Sequence, residues 1–248
     1  MRNIMFLCVG VSVAYFLSPN TGTLIFILCG VLTIFLFLLF RGVFDIQFNY
    51  FLSSQSRING AEVLLTFDDG PEPQRTLSLI NVLKKHDIGA VFFMIGKKME
   101  AHPTIVEEVK TSGFLIGNHS YTHGNNFPIK SSEEIKNELQ KTEAIIGNKY
   151  SNQLFRPPMG ITNPNVARGI KKANLKSVGW SIRSFDTIEA DNDKMFQKVF
   201  KRLKPGAILL FHDNGLIDLE KFDQFLTEAK QKGVIFAKND QIKTMLNA

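Results

Sequence analysis

The fold of this chain is decided by residues 62–71, which read Glu62-Val63-Leu64-Leu65-Thr66-Phe67-Asp68-Asp69-Gly70-Pro71. The apolar first half of this stretch predicts a buried strand, and the Gly-Pro pair ends it. Because side chains alternate along a strand, Asp68 and Asp69 leave it in different directions. One carboxylate can therefore bind a metal ion while its neighbour transfers a proton. A solvated Asp-Gly turn after a strand is the competing interpretation of the pair.

Apolar, strand-like runs alternate with amphipathic helical stretches throughout residues 61–248. Strands are predicted at Val63–Phe67, Ala90–Ile95, Phe114–Gly117, Leu154–Arg156, Lys176–Trp180, Ala207–Phe211 and Val234–Phe236. Helices are predicted at Thr76–His86, Lys97–Thr111, Ser132–Ile146, Pro164–Ala173, Asp193–Leu203, Leu219–Lys230 and onward from Asp240. Seven alternations without a long break predict a parallel α/β architecture, a distorted (β/α) barrel of seven or eight units.

The first 40 residues form a separate apolar segment in which Arg2 is the only charged residue. This segment holds two uncharged runs, Ile4–Leu17 and Thr23–Phe40, with a short polar linker between them. The second run approaches the roughly 20 apolar residues that cross a bilayer, whereas the first is shorter. We expect residues 1–40 to anchor the protein in a bacterial-type cell membrane through one or two transmembrane helices, most simply a two-helix hairpin. A cleaved signal peptide is the alternative.

The polar stretch 41–60 is expected to be a juxtamembrane linker, followed by a catalytic domain at 61–248. If both apolar runs span, this domain returns to the side of the N-terminus, which Arg2 and Arg41 would place in the cytoplasm. If one run spans, the domain lies outside, so the side of the membrane stays open.

Charge and cysteine content narrow the expected partners. The net charge is +6, and the lysines are scattered over predicted helix faces without a basic stripe interleaved with aromatic residues. This pattern argues against a nucleic-acid partner and favours a solvated surface, with attraction to anionic lipid headgroups as the alternative. The lipid bilayer is expected as a partner because of the apolar segment. No protein partner is indicated. Both cysteines, Cys8 and Cys29, lie in the apolar runs, so the domain has no disulfide and no thiolate chemistry.

Polar side chains follow the predicted strands at the point where each strand ends. The set comprises Asp68 and Asp69 after the first strand, His119 and His123 after the third, Arg156 at the end of the fourth, Asp186 beyond the fifth and His212 at the end of the sixth. In a β/α barrel this edge carries the active site. The placement therefore predicts one catalytic centre.

Two imidazoles stand four positions apart in His119-Ser120-Tyr121-Thr122-His123. On a helical turn this spacing brings both rings to one side, where they can share an ion. Asp69 raises the count to three ligands, and three ligands with an open position are typical of a hydrolytic zinc site. Two polar loop histidines without a metal are the alternative.

Metal-assisted hydrolysis also needs a base and an acid. Asp68 is the available base, and His212 is the available acid because its apolar strand would project the ring into the barrel mouth. A histidine that simply bonds to Asp213 is the alternative for His212. Arg156 can hold the Asp68 carboxylate bidentately, or it can pack the barrel rim. Backbone N–H groups around residues 158–160 can face a developing oxyanion.

Together these segments resemble the polysaccharide deacetylases of carbohydrate esterase family 4, the NodB-homology domain, over about residues 61–240. The similar motifs are Thr66–Gly70, His119–His123, Arg156–Gly160 and Leu209–Asp213, in the family's order. In that family the first aspartate of the first motif is the base and the second binds the metal. The second motif supplies both histidine ligands, the arginine of the third braces the base, and the histidine of the fifth is the general acid. The resemblance implies a barrel of NodB type.

The fourth motif departs from the family, which commonly has two aspartates followed by a tryptophan. Arg183, Asp186 and Thr187 stand at those places here. The resemblance implies that Asp186 tunes His212, as the second aspartate of the family does. It also implies a substrate-contacting set that consists of Pro158, Met159, Gly160, Trp180 and Phe185. Within this set, Met159 stands where an aromatic residue is usual in the family. The family's tryptophan forms a wall of the substrate groove, and Phe185 or Trp180 can replace it here.

The resemblance implies a hydrolase that removes an N-acetyl group from an amino-sugar-containing glycan. The substrate can be peptidoglycan, a chitin-like oligomer or a lipid-linked sugar, and the cofactor is a divalent metal, by default Zn²⁺, with Co²⁺ or another divalent ion as alternatives. An O-acetyl glycan esterase is a second reading. A catalytically silent, membrane-anchored carbohydrate-binding module is a third, although none of the metal ligands and catalytic groups is missing.

Overall fold

The computed structural model describes residues 9–13, 20–147, 150 and 152–247. Within these residues one long apolar helix precedes an α/β domain. The helices are α1 (Thr21–Phe44), α2 (Pro73–Lys85), α3 (Gly96–Ala101), α4 (Pro103–Thr111), α5 (Ser132–Ile146), α6 (Pro164–Lys172), α7 (Asn192–Arg202), α8 (Leu219–Gln231) and α9 (Asn239–Asn247). The strands are β1 (Ser54–Gln55), β2 (Leu64–Gly70), β3 (Ala90–Met94), β4 (Leu115–Asn118), β5 (Leu154–Phe155), β6 (Lys176–Val178), β7 (Ile182–Arg183) and β8 (Ile208–His212).

The eight strands form one parallel sheet in the order β1-β6-β5-β4-β3-β2-β8-β7. Strands β6 and β7 follow each other along the chain, yet they lie near opposite ends of this order. Three residues, 179–181, connect them, so the two ends of the sheet must curl towards each other. A single bridge between Arg57 and Ala207 spans the remaining opening. The predicted parallel α/β arrangement is confirmed, but the sheet is a curled half-barrel and not a fully closed barrel.

Several predicted elements differ in the structure. The helix expected over residues 97–111 is two helices, because Pro103 cannot donate to the preceding turn and instead opens α4 at its first position. The strand expected at residues 234–236 is wrong, since Phe236 contributes only an isolated bridge to Val63. Strands β1 and β7 were not predicted. Each has two residues, which is too short for an alternating pattern to be visible.

Alternation along β2 separates two apolar clusters. Leu65 and Phe67 pack with the surrounding helices in the larger cluster, where Phe67 lies 5.1 Å from the Phe92 ring centroid. Leu64 joins the second cluster, on the other face of the sheet, together with residues of α9. Thr66 and Asp68 therefore share the face of Leu64. This alternation directs one carboxylate to the inside of the half-barrel.

In the described part of the apolar N-terminal segment, one helix has the length and composition of a membrane span. Helix α1 has a mean hydropathy of 2.9 over its most apolar window, none of which is buried. Asn20 caps it by accepting from the Thr23 N–H at 2.9 Å. Of the first apolar run, residues 9–13 are helical, and the remainder of that predicted span lies outside the described residues.

Residues 41–60 do more than connect the helix to the domain. Ile46 and Ile58 are buried, and β1 pairs with β6 at the edge of the sheet. The expected linker thus contributes a strand and core residues to the domain. The domain boundary at residue 60 stays a prediction.

Candidate active site

The two carboxylates at the end of β2 are separated by a bulge. The pairing of β2 with β3 shifts register between Asp68 and Gly70, and Asp69 has a φ of 71°. A bulge re-aims the side chain of its extra residue. Asp68 consequently stays buried on the inner face, whereas Asp69 turns towards the loop that follows β4.

Asp69, His119 and His123 form a cluster whose ligand atoms all lie within 4.8 Å of one another. The Asp69 Oδ1 atom is 3.4 Å from His119 Nε2 and 3.2 Å from His123 Nε2. The two imidazole ring centroids are 4.7 Å apart. The structure therefore brings together the three side chains that the spacing predicts as metal ligands.

The histidine loop is not the helical turn that the spacing suggested. Ser120 and His123 have φ values of 64° and 52°, so the backbone repeatedly leaves the helical region. The side chain of Asn118 accepts from the Ser120 N–H at 2.9 Å, and the Ser120 hydroxyl accepts from the His123 N–H at 3.0 Å. These side-chain contacts replace helical hydrogen bonds and still place both rings on one side.

The donor set fits a divalent metal ion. The Nδ1 atom of His119 donates to the Arg156 carbonyl at 2.8 Å, which leaves Nε2 as the lone-pair nitrogen facing Asp69. The Oδ1 atom of Asp69 is buried and has no hydrogen-bond partner. A buried carboxylate oxygen without a partner is costly unless a cation or donor satisfies it.

Electrostatics around the cluster favour the protonation states that a metal requires. Burial raises the pKa of Asp69, but the neighbouring imidazoles of His119 and His123 outweigh this effect and hold it well below its usual range. Burial, followed by the neighbouring His119, lowers the pKa of His123. An ionised carboxylate and a neutral imidazole are the forms that bind metals.

Asp68 lies in a fully buried arginine network. Arg156 Nη1 donates to Asp68 Oδ1 at 2.7 Å and to Thr66 Oγ1 at 2.8 Å. The same guanidinium donates from Nη2 to the Gly179 carbonyl at 2.7 Å and from Nε to the Val178 carbonyl at 3.1 Å. The contact with Asp68 is single, not bidentate, and it leaves Oδ2 of Asp68 3.7 Å from His119 Nε2.

His212 pairs with Asp186, not with its neighbour in sequence. Its Nδ1 lies 2.8 Å from Asp186 Oδ1, and its backbone N–H donates to Asp186 Oδ2 at 2.7 Å. Burial lowers the pKa of His212, but the hydrogen bond and charge of Asp186 outweigh this effect and raise it. The imidazolium form, which a proton donor needs, is therefore retained to higher pH than in a free imidazole.

Asp213 turns away from His212, so the alternative in which these two residues pair is wrong. The Asp213 carboxylate accepts from Thr76 Oγ1 at 2.5 Å, and its backbone N–H donates to the Asp68 carbonyl at 2.7 Å. Burial raises the pKa of Asp213 to about 7. Asp213 thus joins β8 to the start of α2 beneath the site.

The residues expected to contact substrate differ in how exposed they are at the mouth of the half-barrel. Met159 and Phe185 are each 44% exposed, whereas Pro158 and Gly160 are buried. A Cβ atom added to Gly160 would lie 2.3 Å from the Trp180 ring, so this glycine permits close packing against the indole. Met159 and Phe185 are therefore the members of the set that present apolar surface at the opening.

Sequence reasoning missed three polar residues that position the site. The Thr66 hydroxyl accepts a hydrogen bond from the Arg156 guanidinium, and the Ser184 hydroxyl donates to Asp186 at 2.6 Å. The Asn118 side chain holds the histidine loop by accepting from the Ser120 N–H. Thr66 was detectable because it stands two positions before Asp68, on the same face of the strand. The other two carry no local signal, since their partners are distant in sequence or lie within an irregular loop.

Removing the metal should lower stability measurably. At metal concentrations roughly 100 to 1,000 times Kd, binding to the folded state alone contributes about 3 to 4 kcal/mol. We expect a chelator to lower the melting temperature and added Zn²⁺ to restore it. In His123→Ala the metal-dependent increment should vanish, while in His86→Ala, a histidine that contacts Asp223 far from the cluster, it should persist. An unchanged increment in His123→Ala would contradict the ligand assignment.

Comparison with known proteins agrees with the motifs and the fold. The polysaccharide deacetylase family matches residues 56–178. A peptidoglycan-N-acetylglucosamine deacetylase of Bacillus cereus is 33% identical over 186 residues, which cover 72% of this chain and 66% of that protein. A chitooligosaccharide deacetylase of Rhizobium leguminosarum bv. trifolii is 36% identical over 154 residues, which cover 61% of this chain and 71% of that protein.

The structural comparison extends over most of the domain. A crystal structure of a peptidoglycan N-acetylglucosamine deacetylase, bound to an N-hydroxybenzamide compound, has a TM-score of 0.68 and 30% identity. The superposition covers 79% of this chain and 92% of that one. These matches agree in sequence and in fold. The chain therefore belongs to the polysaccharide deacetylase family, carbohydrate esterase family 4, whose members are hydrolases.

Proposed function

We propose that this chain is a membrane-anchored, metal-dependent deacetylase that hydrolyses the N-acetyl amide of an amino sugar in a glycan. The observation that carries the proposal is the convergence of a metal-ligand triad, a buried carboxylate and a buried imidazole at one edge of the sheet. The relatives that act on peptidoglycan and on chitooligosaccharides support the same reaction class.

Asp69, His119 and His123 would hold the ion, with zinc as the default because three N/O ligands and an open position suit it. A bound divalent ion would lower the pKa of a water molecule and polarise the acetyl carbonyl. The two proton transfers of the reaction would be made by Asp68 and His212.

Asp68 acts as the general base and takes a proton from the attacking water. The guanidinium of Arg156 holds one oxygen of this carboxylate at 2.7 Å, which fixes the other towards the ligand cluster. A fixed base needs no reorganisation during the reaction, and a positioned base contributes roughly 10²- to 10⁴-fold to a rate.

His212 acts as the general acid and donates a proton to the sugar nitrogen as the amide C–N bond breaks. Acetate and the free amine are then the products. Asp186 holds the imidazole through Nδ1, so Nε2 carries the proton that is transferred. The backbone N–H of Met159 is our candidate for the oxyanion contact, because Pro158 has no N–H and the Gly160 N–H already donates to the Pro157 carbonyl at 2.9 Å.

Membrane attachment is proposed from α1 and its surroundings. The helix is 24 residues long and apolar. Its end carries Arg41, which pairs with Asp45, and an aromatic group that consists of Phe40, Phe44, Phe48, Tyr50 and Phe51. Arginine and aromatic side chains are typical of a membrane–water interface.

Acetate release tests the reaction. The protein with Zn²⁺ should release acetate from N-acetylglucosamine oligomers and produce a free amine in equal amount. Equal release from an O-acetylated glycan, without amine, would favour the esterase reading. Sugar binding with no product from either substrate would favour the catalytically silent module.

The pairing of His212 with Asp186 predicts a pH effect. Asp186→Asn removes the carboxylate that raises the pKa of His212, so that pKa should fall. Because the acid must be protonated, the alkaline limb of the kcat profile should move to lower pH, with the loss of kcat greatest at high pH. Glu189→Gln, which changes a partly buried acid of the same loop that pairs with Lys198, should leave the profile unchanged. An unmoved alkaline limb in Asp186→Asn would exclude His212 as the acid.

A further inference from the structure

Large apolar side chains are exposed on the domain almost entirely at the edge that holds the site. Among the described residues after 48, the exposed large hydrophobic residues are Ile129, Met159, Phe185, Ile188, Leu216 and Ile235. The first five lie in the connections that follow β4, β5, β7 and β8, so they surround the carboxyl ends of the strands. Only Ile235 lies at the opposite edge, where its carbonyl accepts from the Val63 N–H before β2.

These five residues, which we call the apolar rim, are unusually exposed. Ile129 is 83% exposed, Ile188 75% and Leu216 52%. Single exposed apolar residues are ordinary, but a group around one opening marks an interaction surface. The question is which surface covers the apolar rim.

The end of α1 is fixed to the same edge. The Thr162 N–H donates to the Val43 carbonyl at 3.0 Å, and the Thr162 hydroxyl donates to the Gly42 carbonyl at 2.7 Å. Thr162 follows the turn that carries Met159, and its neighbour Asn163 donates to the Pro128 carbonyl beside Ile129. The proposed membrane helix therefore leaves the domain beside the apolar rim and not from the opposite edge.

Charge next to the apolar rim also suits a membrane surface. Phe185 and Ile188 line a cavity of about 530 Å³ whose other side chains include Arg183, Lys198, Lys201 and Arg202. Glu189 is the one acidic residue in that lining. Cations beside exposed apolar residues attract anionic headgroups while the apolar groups enter the acyl boundary.

We infer that the apolar rim seats in the bilayer interface, so that the site opens towards the membrane and takes its N-acetyl sugar from a membrane-bound glycolipid. This inference rests on the proposed function for the reaction, but the surface contact is independent of it. A site in this orientation receives a sugar head directly from the interface. A long polymer would have to pass between the apolar rim and the lipid.

The contact can be measured on the full chain inserted in vesicles of phosphatidylcholine and phosphatidylglycerol. In a Cys8→Ser/Cys29→Ser background, Ile188→Cys carries an environment-sensitive fluorophore, and Ile235→Cys carries it as the matched control. Lipids brominated near the headgroup should quench the label at position 188 and not at position 235. Equal quenching at both positions, or none at 188, would overturn the inference. A fluorescence change at position 188 that needs no lipid and grows with protein concentration would also overturn the inference, because the apolar rim would then contact a second copy of the chain.

Activity gives a second readout. Ile129→Ser/Ile188→Ser/Leu216→Ser should retain kcat/KM on a soluble N-acetylglucosamine oligomer and lose at least about tenfold on the same sugar carried by a vesicle-bound lipid. Ile235→Ser should change neither value. An equal loss on both substrates would contradict the inference. If the wild-type protein releases acetate from neither substrate, the proposed function fails, and the quenching result still decides the surface contact.

Discussion

Asp68→Asn should lower kcat by roughly 10²- to 10⁴-fold, because the variant keeps the shape of the side chain but cannot accept a proton from water. The amide oxygen can still accept from Arg156, so the buried hydrogen bond survives in form. Metal content should stay close to that of the wild type, since Asp68 lies outside the Asp69–histidine triad. Acetate release and elemental analysis on the same preparation measure both quantities.

Asp87→Asn is the matched control for this change. Asp87 is exposed, pairs with Lys238 and lies at the end of α2 away from the site, so kcat should not change. Turnover in Asp68→Asn within a few fold of the wild type would remove Asp68 from the role of base. Loss of metal together with turnover would instead make Asp68 part of the ligand set.

Arg156→Met should lower the free energy of unfolding by about 3–5 kcal/mol, because it leaves the buried Asp68 carboxylate without its cation. The arginine is fully buried, its guanidinium lies 4.2 Å from the Phe93 ring centroid, and it makes four hydrogen bonds. Activity should fall together with stability, because Asp68 loses the hydrogen bond that positions it as the base. Denaturant unfolding and acetate release, measured below the unfolding transition, separate the two losses.

A double-mutant cycle tests whether the two charges act on each other. The Arg156→Met/Asp68→Asn variant should be less destabilised than the sum of the single variants, by about 0.5–3 kcal/mol, because neither charge is then left alone. Arg57→Met, at an exposed arginine whose side chain donates to the Pro205 carbonyl, keeps the backbone bridge to Ala207 and should change stability by about 0.5 kcal/mol or less. Strictly additive costs would show that Arg156 packs the barrel rim without bracing the base.

The sequence located the site because its polar residues follow strands whose apolar runs are unmistakable. Asp68 and Asp69 end β2, and His212 ends β8, so a correct reading of two strands brings three groups to one edge. The prediction that β2 alternates also holds up to Asp68 and fails at the bulge. That bulge depends on how β2 meets β3, which no local pattern contains.

Other features depended on contacts between distant segments. Strand β1 is two residues inside a polar stretch and exists because β6 offers it an edge. The choice of Asp186 over Asp213 as the partner of His212 follows from how the loop after β7 folds, since sequence proximity favours Asp213. The curl of the sheet likewise depends on the short connection between β6 and β7, not on the number of strands.

The neighbours of β2 have a consequence for biosynthesis. One edge of β2 pairs with β3, the next strand along the chain. The other edge pairs with β8, which is synthesised much later, since the Leu209 carbonyl that accepts from the Thr66 hydroxyl lies 143 positions further along the chain. At about 5–20 residues per second, a ribosome needs roughly 7 to 30 s to add that length. During this interval a nascent chain exposes an apolar strand edge, which is the surface that misassembles most readily. Any slowing of translation between β3 and β8 should therefore increase dependence on chaperones.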